Sequence, residues 1–164
     1  MTSPHSKAGG FSNTFPISNY TLPIIAEIQQ QINVTYHRAL ISNRSFRAVQ
    51  VALEPFVGVF DFETPSAFPH PSSSQATHFV SFISFSDLGD AEYVHKASRE
   101  MSRAIQGFAV QQGRSRWDDL RSLNFALDGT PVELLFGENV PKLRRIKREV
   151  DPEDIMGLTG GFKF

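Results

Sequence analysis

The side chains that most often perform chemistry are sparse and scattered in this sequence. Its five histidines do not recur at the spacing that places two metal ligands on one helix, and the chain has no Cys. Gly9-Gly10 and Gly160-Gly161 are isolated pairs without the spacing of a phosphate-binding loop. No serine occupies a nucleophile-elbow motif. These patterns argue against thiolate, metal, nucleotide and acyl-transfer sites.

Two further groups of residues could bind a ligand, but each has a simpler structural explanation. Trp117 is flanked by charged residues and could anchor a substrate, although a loop tryptophan more often closes the edge of a core. A predicted C-terminal helix could form an anion or nucleic-acid patch, because it carries Lys142, Arg144, Arg145, Lys147 and Arg148. Cations also favour a helix C terminus, and no aromatic stripe accompanies these. We therefore interpret them as a solvated helix face.

Composition indicates one globular domain. The chain has 164 residues, of which 40% are hydrophobic and 20% charged, and its net charge is -1. That balance provides no general attraction to nucleic acid or to an anionic membrane. Residues 1–14 lack the apolar core of a signal peptide, and no apolar run is long enough to span a bilayer. We expect a flexible tail over residues 1–14, a single domain over residues 15–164 and a cytoplasmic location.

Hydrophobic periodicity predicts an alternation of strands and helices. Ile24, Ile28 and Ile32 form an apolar stripe with a helical period, whereas residues 77–85 alternate with the period of a strand. The predicted segments are a strand at 14–18, a helix at 21–39, a strand at 45–54, a loop at 55–76, a strand at 77–85, a helix at 88–112, a strand at 121–127 and a helix at 138–149. The order βαββαβ predicts an α+β, ferredoxin-like antiparallel sheet with helices on one face and an additional C-terminal helix.

The last quarter of the chain carries a specific series of short motifs. They are Leu123-Asn124-Phe125-Ala126, Phe136-Gly137-Glu138-Asn139, Asp151-Pro152, Ile155-Met156 and Gly160-Gly161-Phe162-Lys163. This series resembles the C-terminal end of fungal FAD-linked oxidases of the berberine-bridge-enzyme-like group, in the vanillyl-alcohol-oxidase superfamily. Back to about residue 15, the order of elements is similar to the substrate, or cap, domain of that family.

The departures from this family bear on the expected chemistry. The chain lacks the family's flavin domain, and with it the pyrophosphate loop and the histidine that tethers the flavin. The second tether, a cysteine, is also missing. Leu123 and Phe125 replace the tyrosines that flank the matching asparagine in the family. We therefore expect a stand-alone descendant that uses no cofactor.

The resemblance also implies where a site would lie. In the family, the sheet face away from the helices covers the flavin and the substrate. If Asn124 lies on that face, alternation along each neighbouring strand decides which of its residues share the face. His78 and Asn124 are then the catalytic candidates. The substrate-binding candidates on the same face are Gln50, Ala52, Val80, Phe82, Ser84 and Ser122. An apolar floor with a few hydrogen-bonding groups is typical of small-molecule pockets. The structural alternatives are that His78 is an ordinary strand residue and that Asn124 binds neighbouring backbone.

Three functions are compatible with this face. The first is a cofactor-independent cyclase or isomerase, a pericyclase of the Diels–Alder type, acting on a hydrophobic intermediate of fungal secondary metabolism. Its cavity would orient the substrate, Asn124, Gln50 or His78 would polarise a carbonyl, and His78 could instead be a general base. The second is a fragment of an FAD-linked oxidoreductase, either inactive alone or completed by a partner chain. The third is a non-catalytic binding module that forms a homodimer through the open sheet face. The loss of the family's cofactor residues favours the first.

Overall fold

The computed structural model describes residues 8–55, 66–69, 77–159 and 163–164. Within these ranges the protein is a mixed α+β structure in which three antiparallel strands form one sheet with the order β1-β3-β2. Its principal elements are β1 (Gly9–Pro16), α1 (Leu22–Ile41), β2 (Phe46–Pro55), β3 (Thr77–Phe85), α2 (Ala91–Gln111), α3 (Glu133–Phe136) and α4 (Val140–Val150). Among the described residues, no helix is long and apolar enough to cross a membrane.

The two long helices begin and end where local chemistry places their boundaries. Pro23 lies in the first turn of α1, where a missing backbone N–H costs nothing. Asn43 follows this helix with a positive φ of 51°, a conformation that Asn tolerates better than most residues. Gly113, with φ of 66°, follows α2 in the same left-handed region. Both helices therefore occupy nearly the ranges that the sequence predicts.

Asp90 joins the start of α2 to the start of β2. Its carboxylate accepts hydrogen bonds from the Ser45 amide at 2.7 Å and from the Arg44 guanidinium at 2.9 Å. The Ser45 bonds and the Arg44 contact lower the pKa of Asp90 to about 2. Asp87 accepts from the Gly89 amide at 2.9 Å. The two aspartates therefore have different roles: Asp87 closes the turn, and Asp90 holds two elements together.

The main core lies between the sheet and the pair α1 and α2. On β3, Phe79, Ile83 and Phe85 point toward the helices and are almost completely buried. Phe15 on β1 stacks on Phe79 with a centroid distance of 4.8 Å, and Val49 on β2 lies opposite Ile83. The phenylalanine-rich composition therefore fills one layer, in which aromatic rings need no polar partner.

The register of β2 on β3 confirms the predicted alternation. Gln50 lies opposite Phe82 and Ala52 opposite Val80, all on the sheet face that points away from α1 and α2. We call this face the second face. Ser84 belongs to it as well, because it is the next residue but one after Phe82.

The strand predicted at residues 121–127 is wrong. The chain there forms a single 3₁₀ turn, Leu123–Phe125, with irregular backbone on both sides. Local hydrogen bonds close it: the Phe125 amide donates to the Ser122 carbonyl at 3.3 Å, and the Ala126 amide donates to the Leu123 carbonyl at 3.4 Å. These short-range bonds replace the ladder that a fourth strand requires. The turn nevertheless lies beside β1, the edge at which such a strand would add.

Other boundaries differ in smaller ways. β1 begins at Gly9 and so includes residues 9–14, which composition assigned to the tail. The segment before α4 contains the extra short helix α3 and a 3₁₀ turn. Of the predicted loop at 55–76, Pro55 ends β2 and residues 66–69 are irregular, whereas residues 56–65 and 70–76 lie outside the described residues, as do residues 1–7.

A matched pair of isoleucines tests the position of the core. Ile83 is completely buried, whereas Ile41 at the end of α1 is 85% exposed. We expect Ile83→Ala to lower the free energy of unfolding by about 2–5 kcal/mol, because it leaves a cavity in a packed layer. Ile41→Ala should change it by less than about 0.5 kcal/mol. Urea unfolding followed by circular dichroism measures both, and equal losses would contradict the assignment.

Candidate functional site

The second face is covered unevenly. His78 and Val80, near the start of β3, are buried, with 4% and 0% of their surface exposed. Ala52 and Ser84 are half-buried, whereas Gln50 is exposed and Phe82 keeps 37% of its surface in solvent. The face therefore has a closed end around His78 and an open end around Phe82 and Gln50. A ligand has access at the open end.

His78 is held in a defined state by Thr14. The Thr14 hydroxyl donates its only proton to the Phe79 carbonyl at 2.9 Å, and the same oxygen lies 3.3 Å from Nδ1 of His78. We infer that Nδ1 carries a hydrogen and donates it to this oxygen. Burial lowers the pKa of His78 from 6.5 to about 4. The imidazole is therefore neutral at physiological pH, and its low pKa makes it a weak general base.

Asn124 lies on the turn rather than on a strand, and its side chain is exposed. Its neighbour Phe125 contacts the sheet: the ring meets Phe82 edge-on, with 5.6 Å between centroids. Ser122, half-buried, precedes the turn. Alternation along a strand predicts Ser122 and Asn124 on the site side, and therefore Phe125 on the opposite side. Phe125 instead contacts Phe82 on the site side, because a 3₁₀ turn has three residues per turn and does not follow a period of two.

The predicted site thus assembles in part. The second face brings together the five predicted strand residues, with His78 at its closed end. The five are Gln50, Ala52, Val80, Phe82 and Ser84. Asn124 and Ser122 lie on the segment that joins this surface through the Phe125–Phe82 contact. Sequence reasoning missed Phe125, although it is one of the three alternating apolar residues, with Leu123 and Leu127, on which the predicted strand depends.

The structure accounts for much of the surroundings of Trp117 and of the basic residues on α4. The indole of Trp117 packs over Gly107 of α2 and is 48% exposed, so it lies at the edge of the structure. On α4, Arg144 pairs with Glu133 at 3.0 Å, and Lys147 contacts Asp151 and Asp154. These carboxylates offset much of the positive charge of α4, which supports the interpretation of a solvated face rather than a nucleic-acid patch.

Sequence reasoning also missed a cavity of about 380 Å³ beside α2, on the other side of β1 from the second face. Within the described ranges, no group of three or more His, Asp or Glu side chains could hold a metal ion. Comparison with known protein families, with curated proteins and with solved structures finds no match to this chain. The candidate chemistry therefore depends on the geometry of these two regions.

The buried neutral state of His78 predicts a pH dependence of stability. The unfolded chain takes up a proton near pH 6.5, whereas the folded protein does so near pH 4. Stability from this group is present above pH 6.5 and is lost as the pH falls, by about 3 kcal/mol at pH 4. The difference in unfolding free energy between the wild type and His78→Gln should therefore shrink by about that amount between pH 7 and pH 4.

Urea titrations at both pH values measure this difference. His37→Gln, at an exposed histidine of α1, controls for the loss of a histidine as such. A difference between wild type and His78→Gln that stays constant with pH would contradict a buried neutral imidazole.

Proposed function

We propose that the protein is a cofactor-independent cyclase that binds a hydrophobic small molecule at the open end of the second face. The observation that carries this proposal is the shared register of Ala52 and Phe82 with Gln50, which gives an accessible apolar surface beside one exposed amide, with the buried Val80 adjoining it at the closed end. The resemblance to the substrate domain of fungal FAD-linked oxidases supports a substrate from fungal secondary metabolism. The order β1-β3-β2, with residues 121–127 beside the free edge of β1, is compatible with a ferredoxin-like fold.

The state of His78 favours cyclisation over isomerisation by proton transfer. A base with a pKa of about 4 removes protons poorly from carbon at neutral pH. An intramolecular cyclisation of the Diels–Alder type converts three π bonds of a single molecule into two carbon–carbon σ bonds and one new π bond. No proton, electron or leaving group enters or departs. His78 is then a positioning residue that holds the closed end of the floor through Thr14.

Orientation provides most of the acceleration in such a reaction. A substrate with a diene and an activated alkene at its two ends must fold before it reacts, and an apolar floor that holds the folded form removes much of the entropic barrier. The Phe82 and Phe125 rings, which meet edge-on, form a corner against which the folded chain can pack. Gln50, opposite Phe82, can donate a hydrogen bond to a carbonyl on the alkene and lower its barrier.

The exposed amide of Asn124 is the second candidate donor. It sits one residue from Phe125, so it is carried by the turn that touches the floor. Gln50 has the stronger case, because strand register fixes the position of its backbone, whereas Asn124 depends on a turn. Both assignments predict a loss of rate with little loss of stability, since both side chains are exposed.

A linear probe tests this function directly. The probe is a neutral chain that carries a diene and an α,β-unsaturated ketone joined by a short tether, and its product is separated by chiral chromatography. We expect the protein to accelerate its cyclisation and to favour one stereoisomer. Gln50→Ala should reduce the rate about tenfold, the value of one hydrogen bond to a polarised carbonyl. Phe82→Ala should weaken binding of the probe.

Gln30→Ala, at an exposed glutamine of α1, is the matched control and should keep the wild-type rate. A rate and a stereoisomer ratio equal to those in buffer would overturn the proposal. Saturable binding of Nile red, a neutral apolar dye, without any acceleration would instead support a non-catalytic binding module. A wild-type dimer that dissociates in Phe82→Asp would favour the homodimer formed through this face.

A different observation favours a second candidate, the fragment of an FAD-linked oxidoreductase completed by a partner chain. Val150, Ile155, Met156 and Leu158 are each more than 60% exposed, which is unusual for four apolar residues within one short segment. In this candidate, a flavin domain on the partner chain covers them.

Absorption spectroscopy separates the cyclase from an oxidoreductase fragment that holds flavin without its partner chain. The cyclase needs no flavin, so we expect the purified protein to show no flavin band near 450 nm and to retain none after incubation with FAD and gel filtration. Retained flavin, lost on Leu158→Asp, would favour the oxidoreductase candidate. Ser42→Asp, at an exposed position after α1, controls for an added charge.

A further inference from the structure

We propose that the cavity between α2 and the segment 117–134 binds a small planar molecule through a carboxylate or phosphate group. The cavity has a volume of about 380 Å³, within the range of small-ligand sites. Three arginines line it, Arg99 and Arg103 from α2 and Arg121 from the segment that follows. The site is distinct from the second face and does not depend on the proposed cyclase activity.

Of the three arginines that line the cavity, Arg121 most lacks a negatively charged partner. Its Nη2 donates to the side-chain oxygen of Gln106 at 3.0 Å, but its Nε is buried and has no hydrogen-bond partner. In the part of the chain that the structure describes, no ion pair joins Arg121 to a carboxylate. Burial lowers the pKa of this guanidinium, because the charged form loses hydration. An anionic ligand would supply the missing countercharge.

Gln106 holds Arg121 in place. The Gln106 amide nitrogen donates to the Arg116 carbonyl at 2.9 Å, which leaves its oxygen to accept from Arg121. Gln106 is itself 2% exposed, so this pair is a fixed feature of the cavity wall. A guanidinium oriented in this way can present two N–H groups to one oxyanion.

A second unsatisfied group lies on α2. Ser102 lines the cavity and is only 3% exposed, and its hydroxyl has no hydrogen-bond partner. A buried hydroxyl without a partner costs free energy, and it adds to the unpaired polar groups of this cavity wall. Arg99 and Arg103 flank it at a spacing of four residues, an arrangement that destabilises a helix by charge repulsion unless an anion lies between them.

The remaining walls define the body of the ligand. Trp117 lines one side, and the Arg103 guanidinium lies 6.0 Å from the centre of its ring. Leu127 and Leu134 complete an apolar wall. One carboxylate, Asp128, also lines the cavity, and its oxygen accepts from the Gly129 amide at 3.0 Å. Three arginines against this single aspartate leave the cavity cationic, so we expect a flat ring that carries one acidic group.

Trp117 makes the site directly measurable. It is the only tryptophan in the sequence, so intrinsic tryptophan fluorescence reports on this cavity alone. We expect benzoate or phenyl phosphate to change the fluorescence in a saturable manner, and benzamide, which has a similar shape but no charge, to produce no such change. Whichever of benzoate and phenyl phosphate binds more tightly identifies the acidic group. Inorganic phosphate tests whether the anion alone is sufficient. Raising the salt concentration should weaken binding, because Arg99 and Arg103 are exposed.

Variants decide the assignment. Arg121→Gln should weaken binding about tenfold or more, and Arg99→Gln should weaken it several-fold. Arg47→Gln, at an exposed arginine of β2, is the matched control and should bind as the wild type does. If Arg121→Gln fails to fold, Arg99→Gln decides, because its side chain is exposed. Absence of saturable binding, equal binding of benzamide, or binding unchanged in Arg99→Gln would overturn the proposal.

Discussion

The burial of β3 on both faces is the constraint on which the rest of the structure depends. Phe79 and Val80 are adjacent and point to opposite sides of the sheet, yet both are completely buried. A strand of this kind needs a covering layer on each side. The helices α1 and α2 form one layer, and the Phe125–Phe82 contact shows the C-terminal segment contributing to the other. The second layer leaves one end open around Phe82 and Gln50, and that open end is where a ligand can reach the sheet.

Local periodicity predicts the elements whose own residues determine them. β3 occupies the predicted range 77–85 because each of its faces repeats with a period of two over nine residues. α1 and α2 are predicted to within a few residues because their buried side chains recur with a helical period. The segment 121–127 is different, since three alternating apolar residues are too few to distinguish a strand from an irregular segment. There, Phe125 packs on the sheet while Leu127 lines the cavity beside α2. Neither a helical nor a strand period predicts that these two residues point to different regions.

The candidate site shows the same division between local and non-local information. Alternation places Gln50, Ala52, Val80 and Phe82 on one face, because strand register follows directly from sequence pattern. It does not predict that His78 is buried and Gln50 exposed, because those properties depend on segments distant in the chain. The neutral state of His78 is a consequence of that burial. A histidine that sequence reasoning treats as a possible base therefore becomes, through packing alone, a hydrogen-bonding group.

The cationic cavity and the apolar floor are separated by β1, and this separation has an electrostatic reason. Asn13 lines the cavity, while its neighbour Thr14 lies on the second face and contacts His78. A charged guanidinium placed at the closed end of the floor, beside the buried Val80, would lose its hydration without a partner to compensate. On the α2 side, Arg99 and Arg103 keep contact with solvent, so only Arg121 carries the cost of burial. Under the two proposals, the sheet would therefore separate ligands by charge, with neutral apolar molecules on the floor and anions in the cavity.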